Sequence, residues 1–121
     1  MDPSDTSPIL LVVEDDAPTR DAIGMALTQE GCQVILAATG EEALSLIEQG
    51  GPFTGLYTDV ELPGRVDGWQ VGRAFHQRWP ARPIVYASGR DWSGARLTKG
   101  ALFLRKPLQP SMLIAALMPL L

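Results

Sequence analysis

Cysteine is nearly absent from this chain of 121 residues, in which Cys32 is the only one. A single cysteine cannot form an intramolecular disulfide, and it cannot supply the thiolates of a cysteine-built zinc site. We therefore expect a reducing, cytoplasmic setting, and we interpret Cys32 as a small hydrophobic core residue.

Long apolar runs and an excess of positive charge are also missing. The stretches ILLVV and AALMPLL are much shorter than the roughly 20 residues that cross a bilayer, so we expect no membrane segment. The formal net charge is -4. Because surfaces that bind nucleic acid carry a basic stripe for phosphates, this charge argues against direct nucleic-acid binding. The 45% hydrophobic and 20% charged residues are typical of one globular domain.

Five short apolar runs predict strands. The polar, proline-punctuated opening, MDPSDTSP, predicts a disordered tail over residues 1–8, followed by a single domain over residues 9–121. Within that domain the runs are short, apolar and often β-branched, as in strands buried by helices on both faces. The runs are ILLVV (9–13), CQVILAA (32–38), FTGLYT (53–58), RPIVYAS (82–88) and ALFLRKP (101–107).

Helix signals separate these strands. Asp16 and Pro18 suit the start of a helix that ends at Gly31, and Thr39 with Glu42 predicts a capping box for the next helix. The other two predicted helices are DGWQVGRAFHQRW (67–79) and PSMLIAALM (110–118). Strands that alternate with helices at this spacing predict an α/β fold with a parallel sheet covered on both faces.

Polar groups stand where four of the predicted strands end. In an open parallel sheet, ligands bind at the carboxyl ends of the strands, so we expect these groups to converge at one edge. They are Glu14 and Asp15 after the first strand, Asp59 after the third, Ser88 after the fourth and Lys106 after the fifth.

Their chemistry points to phosphoryl transfer. Two carboxylates about 4 Å apart repel by about 4 kcal/mol at an effective dielectric constant near 20, so Glu14, Asp15 and Asp59 together need a compensating cation. Oxygen ligands of this kind suit Mg²⁺. Lys106 and Ser88 could hold the oxygens of a transferring phosphoryl group, and Asp59 would be the nucleophile that forms an aspartyl phosphate.

The motifs ILLVVEDDAPTR, YTDVELPG, YASG and LRKP resemble, in order and spacing, those of two-component response-regulator receiver domains, from about Ile9 to the end of the chain. The resemblance implies a flavodoxin-like, doubly wound sheet of five strands in the order 2-1-3-4-5. It also implies a metal site, a phosphoacceptor, catalytic groups and switch residues. The implied roles are Mg²⁺ binding by Glu14, Asp15, Asp59 and Glu61, phosphoacceptance by Asp59, catalysis by Lys106 and Ser88, and switching by Ser88 and Phe103.

Further details follow from the same resemblance. The backbone carbonyl of Glu61 would help to bind the metal, and its side chain would influence dephosphorylation. Arg20 stands at the offset usual for the family, and the Lys106-Pro107 bond is expected to be cis.

The sequence departs from the family pattern in two places. The pair Asp67-Gly68 stands one residue further from Asp59 than is usual, which puts the shape of that loop in question. The connection from the fourth to the fifth strand is several residues shorter than usual, and GRDWSGARLTKG (89–100) contains three glycines and little helical periodicity. We therefore expect the fourth helix to be short, irregular or missing, and Trp92 to be exposed on an altered signalling face.

The resemblance implies a signalling module and not an ordinary enzyme. It would take a phosphoryl group from a histidine kinase or phosphotransfer protein and switch its contacts with a downstream protein partner or a fused output domain. One alternative is a degenerate receiver that acts only as an interaction module. A second alternative is an enzyme, a phosphatase of the haloacid-dehalogenase type. Such an enzyme would need a second catalytic aspartate two residues after Asp59, and the residue there is Glu61, which argues against it. His76 could serve a phosphorelay or bind a metal, but an ordinary surface or boundary position is the simpler interpretation.

Overall fold

Five parallel strands form one sheet in the order β2-β1-β3-β4-β5, so the predicted flavodoxin-like topology is confirmed. The computed structural model describes residues 7–92 and 97–121. The strands are β1 (Ile9–Val13), β2 (Gln33–Ala37), β3 (Gly55–Asp59), β4 (Ile84–Ser88) and β5 (Leu102–Arg105). The helices are α1 (Ala17–Gln29), α2 (Gly40–Glu48), α3 (Gly68–Arg78) and α4 (Pro110–Leu117), and a 3-10 turn spans Met118–Leu120.

Two hydrophobic clusters cover the two faces of the sheet. Side chains of α2 and α3, such as Ile47 and Phe75, contribute to one cluster, and side chains of α1 and α4, such as Leu27 and Leu113, contribute to the other. Every residue of β3 and β4 is buried, as the continuous apolar runs predicted. Cys32 is a buried free thiol, in agreement with a core role. None of the described helices is long and apolar enough to cross a bilayer.

The observed helix caps agree with those predicted from the sequence, except at two helices. Asp16 caps α1 through the Thr19 amide, as predicted. At α2 the Thr39 hydroxyl accepts from the Glu42 amide, but the Glu42 carboxylate accepts from the amide of Ala38, one residue before the N-cap. The predicted capping box is therefore displaced by one residue. Helix α3 has a complete capping box that the sequence interpretation missed, formed by Asp67 and Gln70.

The predicted N-terminal tail falls mostly on residues 1–6, which lie outside the described residues. Within the described chain, the carbonyl of Pro8 already accepts a hydrogen bond from the Gln33 amide at 2.8 Å. The ladder between β1 and β2 therefore begins one residue before Ile9.

The connection between β4 and β5 contains no helix among its described residues, 89–92 and 97–101, in agreement with the prediction of a short, irregular or missing fourth helix. The expectation that Trp92 is exposed is wrong, because its ring is half-buried. The ring lies edge-on to Trp69, with the ring centroids 5.3 Å apart and the planes at 84°. Trp92 therefore packs against the first turn of α3.

Helix α3 approaches β4 closely because Gly72 has no side chain. A Cβ atom at Gly72 would lie 1.9 Å from the hydroxyl oxygen of Tyr86, whose ring is buried and packs on Trp69. This contact fixes the distance between the helix and the strand that carries Ser88.

We predict that Gly72→Ala lowers the free energy of unfolding by about 1 to 3 kcal/mol, because the new methyl group would overlap the buried Tyr86 ring. Gly24→Ala is the matched control, since this glycine also lies inside a helix and its Cβ would come no nearer than 3.3 Å to any side chain, at the flexible end of Leu36, with Val34 Cγ2 at 3.8 Å. The control should be neutral or stabilising by up to about 1 kcal/mol, from helix propensity alone. Urea denaturation measures both variants, and equal effects would contradict the packing argument.

Candidate functional site

Lys106 joins the ends of two strands at the carboxyl edge of the sheet. Its Nζ atom lies 2.7 Å from Oε1 of Glu14 and 3.0 Å from Oδ2 of Asp59. Glu14 is fully buried and Asp59 is 5% exposed, whereas the Lys106 side chain is 25% exposed. The parallel register that runs from β1 through β3 and β4 to β5 brings these side chains to the same edge, as the sequence predicted.

Asp15 adds a third carboxylate to this group. One oxygen from each of Glu14, Asp15 and Asp59 lies within 4.8 Å of the others, and Asp15 is exposed at the rim. Lys106 is the cation paired with two of the three carboxylates. The pocket therefore holds more negative charge than this one ammonium group can neutralise.

The ionisation of the pocket reflects this excess. Burial, followed by the charge of Glu14, raises the pKa of Asp59 from 3.8 to about 7, although Lys106 acts in the opposite direction. Burial lowers the pKa of Lys106, but its hydrogen bonds to Glu14 and Asp59 outweigh burial and the net shift is upward. Lys106 is therefore held in its charged form, whereas Asp59 retains a proton more readily than an ordinary aspartate.

The donor set fits a hard divalent cation. Three carboxylates that converge with excess negative charge provide the oxygen ligands that Mg²⁺ prefers, and the exposed position of Asp15 leaves the site open to solvent. The carboxylate of the fourth predicted ligand, Glu61, hydrogen-bonds to Ser88 instead. The metal contact predicted for the backbone carbonyl of Glu61 stays a prediction.

The loop after β3 is docked against the site by a glycine. The Gly68 amide donates to the carbonyl of Val60 at 2.8 Å, and a Cβ atom at Gly68 would lie 2.0 Å from the carbonyl oxygen of Asp59. Upstream in the same loop, Gly64 adopts a φ of 87°, a conformation that favours glycine. The glycine contact beside Asp59 is therefore formed despite the longer loop.

The hydroxyl of Ser88 is directed at Glu61. Ser88 is fully buried, and its Oγ atom donates to the Glu61 carboxylate, with distances of 2.6 and 2.8 Å to the two oxygens. The same Oγ accepts from the Arg90 amide and from the indole nitrogen of Trp92, each at 3.0 Å. The sequence interpretation missed this role of Trp92, and its only signal was an aromatic residue four positions after Ser88.

Two other residues complete the surroundings of the pocket. Arg20 donates to the carbonyl of Glu14 at 3.0 Å, which ties α1 to the end of β1. Tyr57, which the sequence interpretation did not single out, is fully buried two residues before Asp59. Burial, with the nearby charges of Glu14 and Asp59, raises the pKa of Tyr57, so its phenol is neutral beneath the carboxylates.

The remaining predicted residues take the following positions. Phe103 is half-buried, pairs in register with Tyr86 and packs against the cluster on the α3 side of the sheet. The Lys106-Pro107 bond is cis, as expected. His76 lies in the last turn of α3, about 12 Å along the helix from Gly68, so α3 carries it away from the carboxylates.

Comparison with known sequences identifies one family. The family model described as the response regulator receiver domain matches residues 10–118. The transcriptional regulatory protein AfsQ1 of Streptomyces coelicolor is 38% identical over 84 residues, which are 69% of this chain and 36% of that protein. TrcR of Mycobacterium tuberculosis is 34% identical, over 98% of this chain and 47% of its own length. The chain thus spans less than half the length of these two regulators.

Shorter relatives and solved structures agree with this result. An uncharacterized 14.6 kDa protein of Leptolyngbya boryana is 36% identical, over 87% of this chain and 83% of its own length. A response regulator receiver protein from Sinorhizobium medicae superposes with a TM-score of 0.88 at 29% identity, over 95% of this chain and 94% of that one. The receiver domain of the hybrid histidine kinase CckA gives a TM-score of 0.79, also at 29% identity, over 93% and 97%.

We predict that Asp59→Asn stabilises the metal-free protein at pH 8 by up to about 4 kcal/mol, because the variant removes the cost of burying this charge and its repulsion with Glu14. The figure follows from a rise of about 3 pKa units at about 1.4 kcal/mol each. The raised pKa means that folded Asp59 binds its proton more tightly than unfolded Asp59. Wild-type stability therefore falls as the pH rises from about 4 to about 7.

Denaturation with urea across this pH range measures the difference. Asp21→Asn, which removes an exposed carboxylate from α1, is the matched control. The advantage of Asp59→Asn should vanish near pH 4 and be complete above pH 7. A difference that is the same at both ends of the range would contradict the electrostatic explanation.

Proposed function

The chain belongs to the response regulator receiver domain family, and on that premise we propose that it accepts a phosphoryl group on Asp59 in a Mg²⁺-dependent reaction. The donor would be the phosphohistidine of a histidine kinase or phosphotransfer protein. The observation that carries the proposal is the position of Asp59 at the strand edge, bonded to Lys106 and grouped with Glu14 and Asp15.

In the proposed reaction, a carboxylate oxygen of Asp59 attacks phosphorus and forms an acyl phosphate. The bond from phosphorus to the histidine nitrogen breaks, and the electron pair leaves with the imidazole. Lys106 orients the attacking carboxylate through its bond to Oδ2. Glu14, Asp15 and Asp59 would hold Mg²⁺, which supplies positive charge against the phosphoryl oxygens when it is bound.

Ser88 and Phe103 would transmit the change. A phosphoryl group adds negative charge and acceptor oxygens beside the end of β4, so the Ser88 hydroxyl gains a new acceptor in competition with Glu61. Phe103 lies on the neighbouring strand and is only half-buried, which leaves it room to repack. The resulting change in surface would alter contacts with a protein partner or a fused output domain, in a cytoplasmic setting and without direct contact to nucleic acid.

A receiver that has lost phosphorylation and only binds a partner is the second candidate. Such a protein has no need to keep Glu14, Asp15, Asp59, Ser88 and Lys106 together. The presence of all five residue types at the expected strand ends favours phosphoacceptance.

We predict that the protein gains the mass of one phosphate when it is incubated with acetyl phosphate and Mg²⁺. Asp59→Ala and a sample treated with a metal chelator should show no gain, because each lacks a component of the reaction. Intact-mass spectrometry measures all three samples. A gain that persists in Asp59→Ala would place the phosphate elsewhere, and no gain in the wild type from acetyl phosphate or from a panel of histidine kinases would favour the binding-only candidate.

The neighbouring aspartates Asp15 and Asp16 offer a matched test of metal binding. Asp15 belongs to the carboxylate group, whereas Asp16 caps α1 through Thr19, and both are exposed. Asp15→Asn should raise the Mg²⁺ concentration required for half-maximal phosphorylation by about tenfold or more, as expected when one charged ligand is lost. Asp16→Asn should leave that concentration within about twofold, since asparagine is also a good N-cap. Equal effects of the two substitutions would contradict the assignment of Asp15.

A further inference from the structure

The hydroxyl of Ser88 has no remaining capacity for hydrogen bonds. A serine hydroxyl offers one donor and two acceptor positions. Its proton is directed to Glu61, and its oxygen accepts from the Arg90 amide and from the Trp92 indole. A new bond from Ser88 to a phosphoryl oxygen therefore requires that its bond to Glu61 is broken first.

Trp92 holds both partners of that bond. Its indole nitrogen lies 3.0 Å from Oγ of Ser88 and 3.3 Å from Oε1 of Glu61, so one N–H group bridges the serine and the carboxylate. A shared N–H donor stabilises the contact between Ser88 and Glu61. Part of this stabilisation is lost when the two side chains separate.

The indole ring is itself held in place from two directions. Trp69 packs edge-on against it, and the guanidinium of Arg90 lies 5.1 Å from its centroid. Trp69 belongs to α3 and in turn packs against Tyr86 of β4, with ring centroids 4.6 Å apart. The donor is therefore presented to Ser88 and Glu61 by a fixed aromatic support.

We propose that Trp92 is a positioning residue that holds Ser88 against Glu61 in the unphosphorylated protein, so that the switch to the phosphorylated state must release its indole N–H. This inference rests on the proposed function and concerns the regulation of the same site. Trp92 does not touch the reacting atoms, and it acts through Ser88 and Glu61. Because it stabilises the resting arrangement, it lowers the apparent affinity of the site for a phosphoryl group.

The first test is Trp92→Phe in the full chain, which keeps an aromatic ring against Trp69 and removes the N–H group. Beryllofluoride with Mg²⁺ is the probe, since it stands in for the phosphoryl group on an aspartate. The loss of one hydrogen bond in the resting state should tighten beryllofluoride binding by about threefold to tenfold. Trp79→Phe is the matched control, because Trp79 packs against Phe53 and Phe75, and it should leave the affinity unchanged.

The second test follows the indole N–H directly. The chain contains three tryptophans, so its ¹H–¹⁵N spectrum has three indole signals, and the signal lost in Trp92→Phe is that of Trp92. Beryllofluoride should move this signal upfield, as expected for a weakened hydrogen bond, and should leave the Trp79 signal in place. Ser88→Ala should move the Trp92 signal without any ligand.

A double-mutant cycle separates positioning from packing. In the Ser88→Ala background, Trp92→Phe should change the beryllofluoride affinity by less than it does in the wild type, because the serine through which Trp92 acts is gone. If Trp92 had a purely structural role, Trp92→Phe would lower thermal stability equally in both backgrounds. Its effect on beryllofluoride affinity would then be the same with Ser88 and with Ser88→Ala.

The outcomes are distinguishable from those of the proposed function. If wild-type protein binds beryllofluoride and Trp92→Phe binds it with the same affinity, the inference is overturned and the phosphoacceptor function stands. The inference is likewise overturned, and the phosphoacceptor function stands, if beryllofluoride binds but does not move the indole N–H signal of Trp92. If the wild-type protein neither binds beryllofluoride nor accepts phosphate, the proposed function and the inference fail together.

Discussion

The ion pairs of Lys106 with Glu14 and Asp59 determine how the carboxyl edge of the sheet is built. These contacts join residues that are 92 and 47 positions apart along the chain, and they place a buried glutamate and a buried aspartate against one ammonium group. A buried charge without a partner is costly, so the fully buried carboxylate of Glu14 at the end of β1 needs the ammonium group that follows β5. Burial and the charge of Glu14 nevertheless leave Asp59 in an environment that resists its ionisation, although Lys106 acts in the opposite direction. Stability and reactivity are therefore opposed at this residue, which is common at functional sites.

The short connection between β4 and β5 is a part of the molecule that departs from the pattern of the receiver-domain family. Its described residues form turns, and Trp92 packs across Trp69 instead of lying on the surface. The aromatic contacts extend from Trp92 through Trp69 to Tyr86, whose partner in register is Phe103. Packed rings thus run from Trp92, which contacts the hydroxyl of Ser88, to Tyr86 of β4. Phe103 of β5 lies beside Tyr86 in the sheet. This arrangement offers a route by which charge at Asp59 could change a distant surface, although the described residues of the connection, 89–92 and 97–101, form no helix.

Much of the fold and the site could be predicted from the sequence because both follow from short-range patterns. Apolar runs separated by helix signals define a parallel α/β sheet, and polar residues at the ends of those runs must then meet at one edge. Glu14, Asp59 and Lys106 were identified in this way. The contacts of Trp92 with Ser88 and Glu61 could not be predicted, because they depend on the path of a connection that has no periodicity. The capping of Ala38 by Glu42 depends on where β2 ends, and a shift of one residue there is beyond what sequence patterns define.

The pocket carries more negative charge than Lys106 can compensate, and we propose that a divalent cation supplies the balance. The most direct measurement is an NMR titration of the side-chain carboxyl carbon of Asp59, in metal-free protein and again with saturating Mg²⁺. We expect a pKa near 7 for Asp59 without the metal and a much lower value with it. An ordinary aspartate titration in the metal-free protein, or a raised pKa that Mg²⁺ leaves unchanged, would contradict this expectation.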